Sequence, residues 1–285
     1  MVVAAVGACS PAVPSSEQAG ATYGQLTTTE VQSLAPKPAS TTPPTTAVLT
    51  VPTTDPRTAT SGAVKVYAAI SMKAALTEVG KAFAAANLGM TAEFTFDKSS
   101  TLIGKIEKGA EADLLIAADP TFMNKFIDAG LAGSFPAIVA LDPLQIVVAP
   151  GNPIGVSGLS DLAKPEVRVA LCDPSRPCGK FPRRLLKAAK VTVAPASVEK
   201  EVATVLSKVG SGEADAGLIY ASEIVAAGST VAGVAIPAEV NLAAEHGMVV
   251  VKKSTHDALN VAFADFILSA AGQEILAKYG YLSPG

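Results

Sequence analysis

Neutral hydrogen-bond donors occur at several points where an apolar, strand-like run meets a helix-like one. Ser71 follows VYAAI, the triplet KSS (98–100) follows EFTF, and PCG (177–179) precedes FPRRLL. The first turn of a helix leaves backbone N–H groups unpaired and carries about half a positive charge, so such turns can bind an anion. For any single serine, helix capping is the simpler explanation. The turns suggest an anion site because several of them occur in one chain.

Sequence signatures of the common enzyme classes do not accompany these turns. We find no nucleophile elbow, no phosphate-binding loop, no Gly-x-Gly-x-x-Gly after a strand and no His-Glu-x-x-His. The two histidines lie in polar contexts, and we expect His246 in a loop and His256 at a helix start. No histidine or dense acidic cluster accompanies the aspartates near predicted strand ends, so we predict neither an enzyme nor a cofactor nor a directly bound metal cation. These aspartates are Asp97, Asp113, Asp119 and Asp173.

The three cysteines comprise one near the N-terminus and a pair six residues apart. Cys9 ends MVVAAVGAC, and its Val-Gly-Ala-Cys resembles the lipobox at which bacterial lipoproteins are acylated. We predict that residues 1–9 are a lipoprotein signal remnant; a chance cysteine is the alternative. Cys172 and Cys178 enclose two prolines in LCDPSRPCGKF, and a disulfide is the default expectation in an exported protein. Two buried thiols or a reactive pair are the alternatives.

The composition provides enough apolar material for a large core. The 285 residues are 49% hydrophobic and 16% charged. With 22 basic and 25 acidic residues the formal net charge is −3, and without a basic run a nucleic acid is not an expected partner. No apolar run reaches the roughly 18–20 residues that a membrane-spanning helix needs. Residues 10–62 are rich in Pro, Thr and Ser without periodicity, which predicts a disordered linker with a reach of about 40 Å.

From Val64 onward, short apolar runs alternate with amphipathic helical patterns, which predicts an α/β fold whose parallel sheet has helices on both faces. Strand LQIVVAP starts at Leu144, one helix covers VEKEVATVLSKVG (198–210), and one helical stretch covers 257–280. We expect two lobes joined by two hinge crossings around a ligand cleft. Ligands of open α/β sheets lie beyond the carboxyl ends of the strands, so the donor-bearing turns should line this cleft. The predicted lobe 1 comprises 63–143 plus 251–285, and lobe 2 comprises 144–250.

Several stretches resemble the periplasmic molybdate-binding proteins of ABC importers, the ModA family. They are VYAAISMKAAL, FDKSSTLIGKIEKGAEADLLIAADPTFM, LQIVVAPGNP, ADAGLIYASE and AKYGY. The similarity runs from about Val64 to Tyr281, and the Ser-Thr-Leu to Ala-Asp-Leu block is its most specific part. It implies a type II periplasmic-binding fold that encloses a tetrahedral oxyanion.

The resemblance also implies a set of ligand-binding positions. The serine after the family's first strand falls on Ser71, and the serine before its Ser-Thr-Leu falls on Ser99. The tyrosine that ends a later strand falls on Tyr220, and the valine near the start of the preceding helix falls on Val202. The small residue that offers a backbone amide falls on Cys178, where the family pattern has alanine.

We therefore expect an extracytoplasmic, lipid-anchored monomer that captures molybdate, and also tungstate, for an ABC-transporter permease. Asp97 and Lys98 are more charged than the family pattern, which leaves selectivity open. The nearest rival is the same fold binding sulfate, phosphate or another oxyanion, and an acidic acceptor in the cleft would indicate a protonated ligand. The other rivals are an exported thiol enzyme using Cys172 or Cys178, and a sensor without transport.

Overall fold

The computed structural model describes residues 61–284, so Cys9, the predicted signal remnant and nearly all of the predicted linker lie outside the described residues. Within 61–284 there are nine strands. The first begins at Gly62, so the predicted linker 10–62 extends one residue too far, because Gly62 pairs with β2. The strands are β1 Gly62–Ala69, β2 Met90–Asp97, β3 Leu114–Ala117, β4 Ala137–Val148, β5 Val169–Cys172, β6 Ser197–Glu199, β7 Ala216–Tyr220, β8 Ala232–Ala235 and β9 Ala243–Val250.

The same described range contains eight α-helices, together with short 3-10 helices at Ile70–Met72, Leu159–Ala163 and Gly228–Thr230. Most of the α-helices follow a strand, as the alternating pattern predicts. They are α1 Lys73–Ala86, α2 Ser99–Glu107, α3 Pro120–Asp128, α4 Pro177–Ala188, α5 Val202–Gly210, α6 Ala221–Ala227, α7 Asp257–Leu268 and α8 Ala270–Lys278.

The strands form a mixed sheet in the order β2-β1-β3-β9-β4-β7-β5-β6, with β8 paired to β4. β1 is parallel to β2 and β3, and β5 is parallel to β6 and β7. β9 runs antiparallel to β3 and β4, and β4 runs antiparallel to β7 and β8. The expectation of a parallel sheet is therefore correct only for the outer strands, because β4 and β9 run antiparallel to the strands on either side of them.

The long strand β4 belongs to two halves of the sheet. Residues 137–143 pair with β9, and residues 144–148 pair with β7 and β8. Each half has apolar clusters on both faces, because alternate strand residues point to opposite sides. In β1, Val66 packs on one face and Tyr67 on the other; in β7, Leu218 and Ile219 are divided in the same way.

Along β4, the side chains pass from the apolar clusters of the first half to those of the second half, close to the predicted crossing at residue 144. Ala140 packs in a cluster of the first half, whereas Leu144 packs in a cluster of the second. The second crossing lies earlier than predicted. Met248 and Val249 fall in the range predicted for lobe 2, yet they pack with the first half because β9 pairs with β3.

Two strand assignments differ from the sequence-based expectation. β4 begins at Ala137 rather than at Leu144, because its first part pairs with β9 before its second part pairs with β7. The range 198–201 was predicted to be helical, but Ser197–Glu199 forms β6 beside β5, and α5 begins only at Val202. Tertiary strand pairing thus overrides the local helical pattern.

The C-terminal helical stretch is two helices rather than one. The Ser269 hydroxyl accepts a hydrogen bond from the Gly272 N–H at 3.3 Å and caps the N-terminus of α8.

Among residues 61–284, no single helix has both the length and the apolar composition of a membrane span. Only α7 and α8 taken together have them, and these two helices are bent by 60° relative to each other.

Candidate functional site

A cleft of about 480 Å³ lies at the junction of the two halves of the sheet. Ser71 and the turn after β3 contribute from the first half, and Cys178, Val202 and Tyr220 contribute from the second. The strands that connect the halves contribute Asp142, Ala244 and His246. Four of the five predicted ligand positions therefore line one cleft.

Ser71 lies in the 3-10 helix Ile70–Met72 between β1 and α1, where it is exposed in the cleft wall. Neither this helix nor α1 has a side-chain hydrogen bond at its N-cap. The Ser71 side chain therefore does not cap a helix. Its backbone carbonyl accepts a hydrogen bond from the Tyr281 hydroxyl at 3.1 Å, which holds this turn in place.

Ser99 lies immediately behind the cleft wall. It is the first residue of α2, it is only 4% exposed, and its Oγ accepts a hydrogen bond from the Ala118 N–H at 3.1 Å. Ala118 itself lines the cleft. Because a hydroxyl that accepts one bond still carries a proton, Ser99 retains a donor. The neighbouring Ser100 is exposed and outside the cleft lining.

Cys178 and Val202 bring two helix N-termini to the cleft. Cys178 is the second residue of α4 and Val202 is the first residue of α5, so their N–H groups have no acceptor within the helix. Neither helix has a side-chain N-cap bond. By contrast, the Asp119 carboxylate caps α3 by accepting from Thr121 N–H at 2.7 Å and Phe122 N–H at 3.3 Å. The α4 and α5 termini keep amides that can donate to an anion.

A disulfide joins Cys172 at the end of β5 to Cys178, and their Cα atoms are 5.7 Å apart. The bond holds the first turn of α4 close to the sheet. The following residue must be small, because a Cβ on Gly179 would overlap the Asp173 carbonyl oxygen. Since both sulfurs are bonded to each other, neither cysteine is a free thiol nucleophile in the described part of the chain.

Tyr220 ends β7 and packs edge-to-face on Phe181, with ring centroids 5.9 Å apart. Arg184 lies over the Phe181 ring, with its guanidinium carbon 5.3 Å from the ring centroid. Burial raises the pKa of Tyr220, and the nearby carboxyl groups of Asp142 and Asp119 raise it further. The phenol therefore keeps its proton and remains able to donate a hydrogen bond.

Three acidic residues line the cleft, and none of them was predicted as a ligand position: Asp119, which caps α3, Asp142 and Glu223. Asp142 in β4 is 4% exposed, and it accepts hydrogen bonds from the Ser222 hydroxyl and, at 3.2 Å, from the Ser222 N–H. Burial raises its pKa to about 7 despite these bonds, and Glu223 adds to the rise. Burial also raises the pKa of Glu223, which lines the same cleft. The sequence signal for Asp142 was an acid within the apolar run IVALDPLQIVV.

His246 was expected in a loop, and this expectation is wrong. It lies in β9, it is 2% exposed, and its ring meets the Tyr281 ring edge-on at 5.3 Å. Among residues 61–284 its buried Nδ1 atom has no hydrogen-bond partner, and burial lowers the pKa of the ring to about 4, so the ring is neutral at pH 7. His256 is at the N-cap of α7, which confirms its predicted place at a helix start.

Charged residues from α4 also reach the cleft, where Lys180 and Arg184 are part of the wall.

Asp97 and Lys98, which depart from the family pattern, are outside the cleft lining. Asp97 forms an ion pair with Lys105 at 3.0 Å and accepts from the Lys98 N–H at 2.8 Å, and both contacts lower its pKa.

Acidic residues at other strand ends do not assemble into a cation site. Asp113 accepts bonds from Ser254 at 2.6 Å and from the Lys65 N–H at 2.8 Å, outside the cleft. Within the described residues there is no group of three or more His, Cys, Asp or Glu side chains that could hold a metal ion.

The fold and the cleft define a two-lobed α/β binding protein of the type II periplasmic-binding class. The chain belongs to the bacterial extracellular solute-binding proteins, whose family model matches residues 64–282. The molybdate-binding protein ModA of Mycobacterium tuberculosis H37Rv is 35% identical over 235 residues, which cover 82% of this chain and 90% of that protein. This similarity confirms the resemblance seen in the sequence.

Similar folds are also found among solved structures. A substrate-binding domain from Clostridium difficile has a TM-score of 0.69 at 24% identity, covering 78% of this chain and 99% of that one. The sulfate-binding protein SubI of Mycobacterium tuberculosis H37Rv has a TM-score of 0.61 at 20% identity, covering 78% of this chain and 87% of that one. The predicted fold class is therefore confirmed.

Proposed function

We propose that this chain is an extracytoplasmic solute-binding protein that captures molybdate and delivers it to an ABC-transporter permease. The observation that carries the proposal is the convergence of Ser71, Cys178, Val202 and Tyr220 on one cleft, with Ser99 directly behind its wall. These are the positions at which the sequence resembles the ligand residues of the ModA family. The 35% identity to the mycobacterial ModA protein supports the same ligand.

The chemistry of the cleft suits a tetrahedral dianion. A dianion that loses its hydration needs a complete set of donors, and each hydrogen bond to a charged group contributes about 1.5–3 kcal/mol. The hydroxyls of Ser71, Ser99 and Tyr220 and the amides of Cys178 and Val202 are neutral donors of this kind. They do not require a buried countercharge. Lys180 and Arg184 in the wall would attract the anion from solution.

The donors are divided between the two halves, so ligand binding would favour closure of one half on the other. We assign residues 61–143 and 243–284 to lobe 1 and residues 144–242 to lobe 2, following the packing on either side of β4 and β9. Ser71 and Ser99 lie in lobe 1, whereas Tyr220 and the two helix N-termini lie in lobe 2. A ligand that contacts both sets stabilises the closed arrangement.

The sequence supports the remaining parts of the proposal. Tungstate has the same charge and shape as molybdate and would bind in the same way. Acylation of Cys9 would anchor a monomer to the membrane through the 10–60 segment, and the binding cleft would serve transport rather than catalysis or sensing. Replacing Cys9 with Ala in a chain with a complete signal should release the protein from the membrane with unchanged ligand affinity. Membrane retention of the variant would contradict the anchor.

A second candidate is an oxyanion that carries a proton, such as phosphate. The specific observation in its favour is the presence of Asp142 and Glu223 in the cleft wall. A carboxylate can accept a hydrogen bond from a ligand O–H, which a wall of pure donors cannot do. The difference is testable because molybdate and sulfate are unprotonated dianions near neutral pH.

A thermal-shift panel of molybdate, tungstate, sulfate, phosphate and chromate tests both candidates. A ligand that binds only the folded state stabilises it by about 2.7 kcal/mol at a concentration of 100 times Kd. We expect large Tm increases with molybdate and tungstate and small ones with sulfate and phosphate. A shift with phosphate alone would favour the second candidate, and the absence of any shift would contradict both.

A further inference from the structure

We propose that the cleft takes up a proton, at most one per oxyanion, when it binds its ligand, and that the Asp142 carboxyl group holds this proton. The proposal rests on the proposed oxyanion function and assigns to Asp142 a proton-binding role in the same cleft. It derives from the position of a buried acid in the same cleft as the neutral donors.

The hydrogen-bond partners of Asp142 do not neutralise its charge. Its two carboxyl oxygens accept from the backbone N–H and the hydroxyl of Ser222, and both donors are uncharged. Asp142 forms no ion pair within residues 61–284. An ionised carboxylate at this position is therefore desolvated without a countercharge in contact.

Among the described residues, burial, the Ser222 hydrogen bonds and Glu223 determine the pKa of Asp142, and no cation contributes to it. Glu223 on α6 and Asp119 before α3 are acidic, and burial raises the pKa values of Tyr220 and Tyr281, so both phenols remain neutral. His246 on β9 stays neutral because burial lowers its pKa to about 4. The cationic groups of the cleft lining are Lys180 and Arg184, both on α4.

An incoming dianion shifts this balance further toward the neutral acid. Burial raises the pKa of Asp142 to about 7, and a second negative group in the same desolvated space penalises its ionised form further. A proton taken from solution then binds one carboxyl oxygen, which converts an anionic acceptor into an O–H donor. The oxyanion gains a donor and loses a repulsive neighbour. The protonated oxygen keeps acceptor capacity, so both Ser222 donors retain their acceptors.

The proton count should depend on pH in a defined way. Below pH 6 the carboxyl group is already protonated, and binding should take up almost no proton. Because the pKa is about 7, uptake should be near half a proton at pH 7 and approach one proton per oxyanion at higher pH. Linkage then requires the affinity to fall up to about tenfold per pH unit above pH 7.

The test is calorimetric titration of molybdate into the full chain at pH 6.5, 7 and 8, in pairs of buffers that differ in ionisation enthalpy. The buffer dependence of the heat gives the number of protons taken up. The same titration is repeated with Asp142→Asn, Glu223→Gln and the surface control Asp128→Asn, an exposed residue at the end of α3. Circular dichroism and thermal unfolding check that each variant is folded.

We expect uptake that rises toward one proton at pH 8 in the unaltered protein, in Glu223→Gln and in Asp128→Asn, but not in Asp142→Asn. The Asp142→Asn affinity should be independent of pH over this range. Molybdate binding without proton uptake in the unaltered protein would overturn the inference, even if the variant fails to fold. Full uptake in a folded Asp142→Asn would also overturn it. Absence of molybdate binding to the unaltered protein would instead overturn the proposed function.

Discussion

The hydroxyl of Tyr281 donates a hydrogen bond to the backbone carbonyl of Ser71 at 3.1 Å, across 210 residues of sequence. The Tyr281 ring is 2% exposed and packs against His246 in β9. The next residue, Leu282, exchanges two backbone hydrogen bonds with Leu141 in β4, at 2.8 and 2.9 Å. The end of the chain thus connects the first cleft serine to β4, the strand that belongs to both halves of the sheet.

Tyr281→Phe should lower both stability and ligand affinity. Loss of one buried hydrogen bond costs about 0.5–1.5 kcal/mol, and the freed Ser71 turn would lose part of its alignment. Urea unfolding and molybdate titration measure the two effects. The matched control is Tyr279→Phe, which removes a 2.8 Å bond to Glu78 outside the cleft lining and should affect stability alone. Equal affinities in the two variants would show that Tyr281 does not position Ser71.

Ser71→Ala and Ser99→Ala should each reduce molybdate affinity about ten- to a hundredfold, because each removes a charge-assisted hydrogen bond of about 1.5–3 kcal/mol. Ser100→Ala is the control, since Ser100 is exposed at the same helix start and outside the cleft lining. Calorimetric titration separates the three variants. Undiminished affinity in both Ser71→Ala and Ser99→Ala would refute this binding site.

Tyr220→Phe should weaken molybdate binding about tenfold or more while it preserves the edge-to-face contact with Phe181. The change removes one neutral donor and leaves the ring. Tyr67→Phe is a suitable control, because Tyr67 is partly buried in the first half of the sheet, away from the cleft lining. An equal loss of affinity in both variants would indicate an indirect effect on the fold.

Removal of the disulfide by Cys172→Ser with Cys178→Ser should destabilise the protein by about 2 kcal/mol, from the entropy of a short closed loop. It should also weaken anion binding, because the bond holds the first turn of α4 and its Cys178 amide. Thermal unfolding and titration measure these effects. The unaltered protein is also treated with an alkylating reagent without reductant, and its intact mass should show no label on either cysteine. Labelling of both would favour a thiol function.

His246 should contribute a pH-dependent loss of stability on the acidic side. Its pKa is about 4 in the folded protein and 6.5 in the reference state, so the unfolded chain binds the proton first as pH falls. Stability from the neutral ring is present above pH 6.5 and is lost as pH falls toward 4. Asp142 has the opposite sign, because its raised pKa makes stability fall as pH rises from 3.8 to about 7.

Urea unfolding of His246→Gln and the unaltered protein between pH 4 and 7 isolates the histidine effect, because the Asp142 contribution is common to both. As pH falls, the unaltered protein should lose stability relative to the variant, and the difference in unfolding free energy should change by up to about 1.4 kcal/mol per pH unit. Parallel curves would show that the ring is not held neutral by burial.

Much of the architecture is readable from local sequence. Alternation of short apolar runs with amphipathic helical patterns predicts the α/β class, because strand and helix side chains repeat with different periods. Serines after strands and the cysteine pair near a helix start predict the positions of donors, since helix N-termini have a local signature. These features depend on residues within a few turns of one another.

The composition of the cleft wall required the tertiary structure. Asp142 and His246 are separated by more than one hundred residues, yet both face the site because β4 and β9 pair along the crossing between the lobes. The pattern near Asp142 indicated no strand before Leu144, and the pattern near His246 indicated a loop. Burial of a polar side chain depends on what packs over it from distant parts of the chain, and local periodicity carries no information about those partners.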